Sequence, residues 1–117
     1  MLKKINRIHL KKQYDAVFKS GRKHLSKHII VYIMKNEVNV NRYGIIASKK
    51  VGKANVRNQA KRRMRHILKA TKDMTKTGYD FTVVCRGNIK TARHGGLHQE
   101  FVSILKKAGL YVEAMGN

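Results

Sequence analysis

A run of positive charge over residues 48–65 is the feature of this sequence best suited to chemistry. It holds eight lysines and arginines in eighteen residues and no acid. If residues 56–72 form a helix at about 100° per residue, seven of its polar side chains fall within an arc of roughly 140°. Such a one-signed stripe repels itself, whereas a solvated face normally mixes both signs, so it favours a polyanionic partner. The predicted cationic face consists of Arg57, Asn58, Lys61, Arg62, Arg65, Lys69 and Lys72.

The opposite side of this helix is predicted to be buried. Arg63 falls within the apolar arc and is expected to reach outward along its methylene stem. Asn55 is a suitable N-cap for the helix. Just before it, the free backbone N–H groups of a helix N-terminus favour phosphate, and the residues that would surround a phosphate are Lys49, Lys50, Gly52 and Lys53. The buried side consists of Val56, Ala60, Met64, Ile67 and Ala70.

The composition points to nucleic acid as the partner. The chain has 117 residues and a formal charge of +21, from 27 Lys and Arg against 6 Asp and Glu. This charge far exceeds what solubility requires of a small domain, and the length predicts a single domain over residues 1–117. No apolar stretch is long enough to span a membrane, so we predict a cytoplasmic protein with no membrane partner.

The sequence shows no convincing catalytic or metal centre. The six acids are scattered singly, and no two form a recognisable metal-binding pair. His94 and His98 have a spacing that a helical zinc site could use, but two glycines lie between them and the glutamate of a His-Glu-x-x-His motif is missing. His66 lies near the edge of the cationic face. Cys85 sits in an apolar run and is predicted to be a small core residue.

Three aromatic residues allow two interpretations. Tyr14, Phe18 and Tyr32 could stack on unpaired bases, which is worth roughly 1–3 kcal/mol per base. They could instead be core residues, and their spacing alone favours the core.

The elements that must position these residues follow from hydrophobic periodicity. A first helix is predicted over residues 10–20 with Gly21 as its C-cap, and strands over residues 28–34 and 43–48, joined as an antiparallel hairpin. The cationic helix, a strand over residues 80–85 and a final helix over residues 97–108 follow, with a loop over residues 86–96 between the last two. This αββαβα order predicts an α+β fold in which helices pack on a small mixed sheet.

The segment of residues 42–68 closely resembles the bacterial ribonuclease P protein subunit. That family carries the pattern Ser-x-Lys-Lys-hydrophobic-Gly-x-Ala-x-x-Arg-Asn-Arg-x-Lys-Arg-x-x-Arg. Gln59 replaces the second Arg of Arg-Asn-Arg, and His66 stands where the family usually has Glu or Gln. The positions that match are Lys49, Lys50, Gly52, Ala54, Arg57, Asn58, Lys61, Arg62 and Arg65.

The resemblance extends over most of the chain and implies a fold. Tyr14-x-x-x-Phe18-Lys19-x-Gly21 resembles the first-helix signature of the family, and Ile30-Val31-Tyr32 resembles its first strand. The implied order is αβββαβα, similar to a domain of a ribosomal protein, with a rare left-handed crossover through the cationic helix. Hydrophobic periodicity predicts one strand fewer than this order, and a break within residues 24–34 would explain the difference.

The resemblance also implies a function. A large RNA subunit would hydrolyse precursor tRNA with Mg²⁺, held mainly by the RNA, and so remove the 5′ leader. The protein, inactive alone and monomeric apart from RNA, would bind the catalytic RNA and the precursor. Leader binding would fall to Tyr14, Phe18 and Tyr32. RNA-subunit binding would fall to Lys49, Lys50, Lys53, Arg57, Asn58, Lys61, Arg62 and Arg65.

Two other functional classes remain as alternatives. A basic RNA-binding module of the ribosomal-protein type would bind RNA without stimulating cleavage. A stand-alone nuclease would cleave with no RNA subunit present.

Overall fold

Four strands form one mixed sheet with helices on both of its faces. The computed structural model describes residues 3–113. In chain order the elements are α1 (Lys11–Ser20), β1 (Arg22–Leu25), β2 (Ile29–Lys35), β3 (Arg42–Ala47), α2 (Ala54–Ala70), β4 (Tyr79–Cys85) and α3 (His94–Lys107), with 3₁₀ turns at Lys4–Asn6, Lys72–Met74 and Ile89–Thr91. The αβββαβα order implied by the resemblance is therefore confirmed.

The additional strand is β1, which lies before the predicted strand over residues 28–34, and the break falls at residues 26–28. β1 and β2 form a hairpin, and Glu100 of α3 holds the turn between them. The Glu100 carboxylate accepts hydrogen bonds from the Ser26 hydroxyl at 2.7 Å, the backbone N–H of His28 at 2.9 Å and the His28 ring at 2.5 Å. Burial alone raises the pKa of Glu100, but these hydrogen bonds outweigh it, so the pKa lies below its ordinary value.

The predicted hairpin between the second and third strands is wrong. The sheet order is β1-β2-β4-β3, so β4 lies between β2 and β3, antiparallel to the first and parallel to the second. Residues 36–41 do not form a tight turn because two asparagines attach them to β4. Asn36 donates to the Asp80 carboxylate, and Asn41 accepts from the Tyr79 backbone, both at 2.9 Å.

The main core lies between the sheet and the pair α2 and α3. Alternate residues of each strand point to opposite faces, and Val31, Phe81 and Val83 on this face are fully buried. Cys85 belongs to the same core, as predicted, at 3% exposure. Burial raises the pKa of its thiol to about 11, so the thiol stays protonated at neutral pH.

Helix α1 covers the other face of the sheet and begins and ends close to the predicted residues. The Gln13 side chain accepts the backbone N–H groups of His9 and Leu10 at its start. Gly21 caps its end, but with φ −78° it is not in the left-handed region. A glycine is needed there because a Cβ would lie 2.4 Å from the carbonyl oxygen of Val17.

Two helix starts differ from prediction. Helix α2 begins at Ala54 with Lys53 as its N-cap, so Asn55 lies inside the helix. Helix α3 begins at His94, so Gly95 and Gly96 form its first turn rather than a loop. Nothing lies within 4 Å of a Cβ added at either glycine, so this first turn packs against no other element there. The sequence therefore has no apolar residue at these positions that would predict the start of the helix. Within residues 3–113, no helix is long and apolar enough to cross a membrane.

Candidate nucleic-acid interface

Helix α2 buries one side against the sheet and turns its cationic side outward. Its buried residues are Ala60, Met64, Ile67 and Leu68. Asn58, Arg62 and Lys69 are exposed, while Arg57, Lys61 and Arg65 are partly exposed along one flank. The predicted division of the helix is therefore confirmed in outline. Two predicted positions are wrong, because Ala70 is exposed and Lys72 lies in the 3₁₀ turn after the helix.

Arg63 does not reach outward as expected. Its guanidinium donates to the carbonyl oxygens of Ile89 at 3.1 Å and Ala92 at 2.5 Å. These carbonyls belong to the 3₁₀ turn between β4 and α3 and to the residue that follows it, so Arg63 joins α2 to that turn. The bonds fix the rotation of α2 about its axis and hence the direction in which its other cations point.

The outward cations of α2 have no acidic partner in the described part of the chain. The ion pairs there join Lys11 to Asp15 and Arg42 to Asp80, and Glu100 is hydrogen-bonded to His28. Arg57 also lacks a hydrogen-bond partner at one atom, because its Nε is buried and makes no hydrogen bond. Unpaired cations concentrated on one helix face raise the local positive potential and attract a polyanion.

The loop that leads into α2 adds three cations at the end of the same helix. Lys49, Lys50 and Lys53 are all exposed, and Lys53 makes no side-chain cap. The chain turns through the bond from the Val51 N–H to the Ser48 carbonyl oxygen at 3.0 Å. Gly52 then takes φ +147°, a conformation that side chains rarely adopt. The first N–H groups of α2 therefore remain uncapped beside the cations, which suits a phosphate.

The three aromatic residues singled out in the sequence lie on the opposite face of the sheet, around α1. The rings of Phe18 and Tyr32 meet edge to face with centroids 4.8 Å apart. Tyr14 lies against Gly44 of β3 and donates its hydroxyl to the Ile8 carbonyl at 3.2 Å. None of the three is fully buried, contrary to what spacing alone favoured, and Phe18 is 39% exposed.

Four further apolar residues share this face and were missed by sequence reasoning. Strand register places Ile30 opposite Val84, Val84 opposite Ile46, and Leu25 opposite Ile30. All are at least partly exposed, and Leu25 is 62% exposed. We call these four residues, together with Tyr14, Phe18 and Tyr32, the aromatic platform. Only the register could have grouped them, because they come from four different strands.

The acids form no catalytic cluster in the described residues. Asp80 is 1% exposed and accepts two hydrogen bonds from Arg42, each 2.8 Å long, so its carboxylate supports the fold. Residues 3–113 contain no group of three or more His, Cys, Asp or Glu that could hold a metal. His94 and His98 do lie on one helix, and the His94 ring is 5.4 Å from that of His66.

Comparison with known proteins points to one family. A family model described as Ribonuclease P matches residues 2–109. The ribonuclease P protein component of Syntrophomonas wolfei is 34% identical over 111 residues, 95% of this chain and 93% of the relative. That of Clostridium botulinum is 36% identical over 110 residues, 92% of this chain and 98% of the relative. The solved ribonuclease P protein of Staphylococcus aureus is similar in structure, with a TM-score of 0.82 at 28% identity, covering 91% of this chain and 97% of that one.

Proposed function

The chain belongs to the ribonuclease P protein family, and from this premise we propose that its two faces bind two different RNAs. As a ribonuclease P protein it takes part in tRNA processing. In our proposal the α2 surface, meaning the outward side of α2 and the loop before it, binds the catalytic RNA. The aromatic platform binds the single-stranded 5′ leader of precursor tRNA.

The observation that carries the proposal is the unpaired charge of the α2 surface. Arg57, Lys61 and Arg65 repeat every four residues along one flank, and the described acids leave all three without a partner. Helical spacing of this kind places the Cβ atoms of successive cations about 6 Å apart, so their side chains can reach successive phosphates of an RNA strand. Neutralising a phosphate also releases a bound counterion, so binding should depend steeply on salt.

The aromatic platform suits an unpaired strand rather than a duplex. Base stacking needs flat side chains that solvent can reach, and Phe18 and Tyr32 supply such a pair. Stacking is tolerant of sequence, because every base has a π-face, and tRNA leaders differ in sequence. A surface that binds bases by stacking is therefore suited to the 5′ leader.

We also propose that the RNA subunit, and not this protein, carries out the hydrolysis. The protein's Asp80 is held in an ion pair and its Glu100 by hydrogen bonds, and residues 3–113 bring together no group of three or more His, Cys, Asp or Glu that could hold a metal. Mg²⁺ would therefore be held mainly by the RNA. The protein would lower the Mg²⁺ requirement by screening the repulsion between the two RNAs. It would act in the cytoplasm and would be a monomer when no RNA is bound.

The test is leader cleavage at low Mg²⁺ by a bacterial ribonuclease P RNA, with and without this protein, and with protein alone as a control. The proposal expects cleavage only when both are present. RNA binding without stimulation would instead favour the ribosomal-type binding module. Cleavage by the protein alone would establish a nuclease.

The α2 surface is tested by Arg57→Ala/Lys61→Ala/Arg65→Ala. Each phosphate contact adds roughly 0.7–0.9 to the slope of log K against log salt, so the triple variant should flatten that slope by about 2 to 3. At 0.15 M salt this corresponds to about a hundredfold weaker binding of the catalytic RNA. The matched control is Lys12→Ala/Lys90→Ala/Lys106→Ala, which removes the same charge from exposed positions outside α2. Equal slopes for the two variants would refute the α2 surface.

The platform is tested by Phe18→Ala with two substrates, precursor tRNA and the mature tRNA that lacks a leader. Loss of one stacked base should weaken precursor binding by roughly 1–3 kcal/mol and leave mature tRNA binding unchanged. An equal loss for both substrates would show that Phe18 does not contact the leader.

A further inference from the structure

A second group of cations surrounds a cavity at the β1 edge of the sheet, opposite the β3 edge against which α2 packs. The cavity has a volume of about 360 Å³ and lies where β1 and the end of β2 meet the C-terminal end of α3. Arg22, Lys35 and Lys107 line it, all three exposed to solvent, and no acidic residue does. No carboxylate among residues 3–113 lies within 4 Å of their charged nitrogens.

His24 is a fourth basic side chain of this cavity. It is two residues from Arg22 on β1, so both side chains project from the same face of the strand. The Nδ1 atom of His24 is buried and has no hydrogen-bond partner. Buried polar atoms in proteins are nearly always paired, so this atom needs a partner from outside the chain, either a water molecule or a polar group of a ligand. Because Nδ1 makes no hydrogen bond, no such bond has to break when the His24 ring turns toward a partner.

The floor of the cavity is apolar. Ile33 and Leu110 are 7% and 5% exposed, and Tyr79 supplies a half-buried aromatic ring. An apolar floor beneath a few convergent polar groups is typical of small-molecule sites, whose volumes run from about 300 to 1,000 Å³. This cavity is at the lower end of that range and has room for one nucleotide.

We propose that this cavity, the β1 cavity, binds a nucleoside phosphate. Arg22, Lys35 and Lys107 hold the phosphate by charge-assisted hydrogen bonds, and the base or sugar lies on the apolar floor beside Tyr79. The nucleotide is either a free nucleoside monophosphate or one nucleotide of a bound RNA strand, since both present the same groups. The proposal goes beyond the proposed function, because none of these residues belongs to the α2 surface or the aromatic platform.

The experiment titrates the full-length protein with adenosine 5′-monophosphate and, separately, with a single-stranded RNA of about ten nucleotides. Binding is followed by calorimetry and by the imidazole C–H proton resonances of His24, assigned by their loss in His24→Gln. The test variant is Arg22→Ala/Lys107→Ala, and Lys12→Ala/Lys106→Ala is its control of equal charge. Lys106 suits the control because its ammonium lies over the Tyr111 ring, 4.9 Å from the centroid, and does not line the cavity. Circular dichroism and urea midpoints show whether both variants are folded.

A His24 response to the mononucleotide, with affinity about tenfold weaker in the test variant alone, would establish a free-nucleotide site. A response only to the RNA, weakened in the same variant, would establish a site for one nucleotide of a strand. No His24 response to either ligand, or equal weakening in both variants, overturns the proposal. The outcome is separable from that of the proposed function, because Arg57→Ala/Lys61→Ala/Arg65→Ala should leave the His24 response to the mononucleotide intact.

Discussion

Replacing Gly44 by alanine should destabilise the protein through one contact with Tyr14. Gly44 is buried in β3, and a Cβ added there would lie 2.4 Å from Tyr14 Cε1 and 2.6 Å from its hydroxyl oxygen. Carbon atoms do not approach that closely, so the ring must move away from the sheet. Overpacking of this kind lowers the free energy of unfolding by about 1–3 kcal/mol.

The same substitution should change sign once the ring is gone. Gly44 is not among the glycines with positive φ, so alanine fits its backbone conformation. Without the clash, Gly44→Ala should stabilise the protein by about 0.4–1 kcal/mol, because alanine restricts the unfolded chain. In a Tyr14→Ala background we therefore expect a gain, and the two sites should be coupled by about 1.4–4 kcal/mol.

Urea unfolding of the wild type, the two single variants and the double variant measures this coupling directly. Gly95→Ala is a suitable control, because nothing lies within 4 Å of a Cβ at that position and its effect should be the same in both backgrounds. If Gly44→Ala costs the same free energy with and without the Tyr14 ring, the ring does not lie against β3 as described. The position of the aromatic platform would then have to be revised.

Three other predictions concern single residues. The lowered pKa of Glu100 means that its ionised form stabilises the fold at neutral pH. The difference in free energy of unfolding between wild type and Glu100→Gln should therefore be largest above the ordinary pKa of 4.5 and should shrink as the pH falls below it. A gap that does not change between pH 7 and pH 3 would contradict this. Cys85, with its thiol pKa raised to about 11, should react with a thiol reagent only after unfolding, and fast labelling of the native protein would show an open core. Arg63→Ala should destabilise the fold by about 1.5–3 kcal/mol, whereas Arg62→Ala should leave stability unchanged and weaken catalytic-RNA binding. Identical effects of these neighbouring substitutions on unfolding would show that Arg63 is not held as described.

The sequence predicted the elements better than their arrangement. Helical and strand periodicity report which side of an element is apolar, and this placed α2 correctly, with Met64 and Ile67 inside and Arg62 outside. Periodicity carries no information about which strands are neighbours. The antiparallel hairpin was predicted from a polar stretch that looked like a turn, but Asn36 and Asn41 in that stretch bind β4 instead.

Two features of the candidate site depended on contacts that no local pattern records. Arg63 lies in the apolar arc because its guanidinium donates to two backbone carbonyls there. Those carbonyls belong to residues more than twenty positions later in the chain. The apolar members of the aromatic platform come together only through strand register. Most cations of the α2 surface, by contrast, could be identified from the sequence, because charge on a helix face needs only helical spacing to be seen; Lys72 was misplaced because the helix ends at Ala70.

The distribution of acids explains how so basic a chain can fold and still present unpaired cations. Of the six acids, Asp80 and Glu100 hold loops and a hairpin to the rest of the fold, and Asp15 pairs within α1. None of these three neutralises a cation of the α2 surface. Asp80 and Glu100 thus stabilise the fold, and the α2 surface keeps its self-repulsion in the free protein. An RNA that supplies the missing charge relieves that repulsion on binding, so part of the cost of holding the cations together is recovered only in the complex.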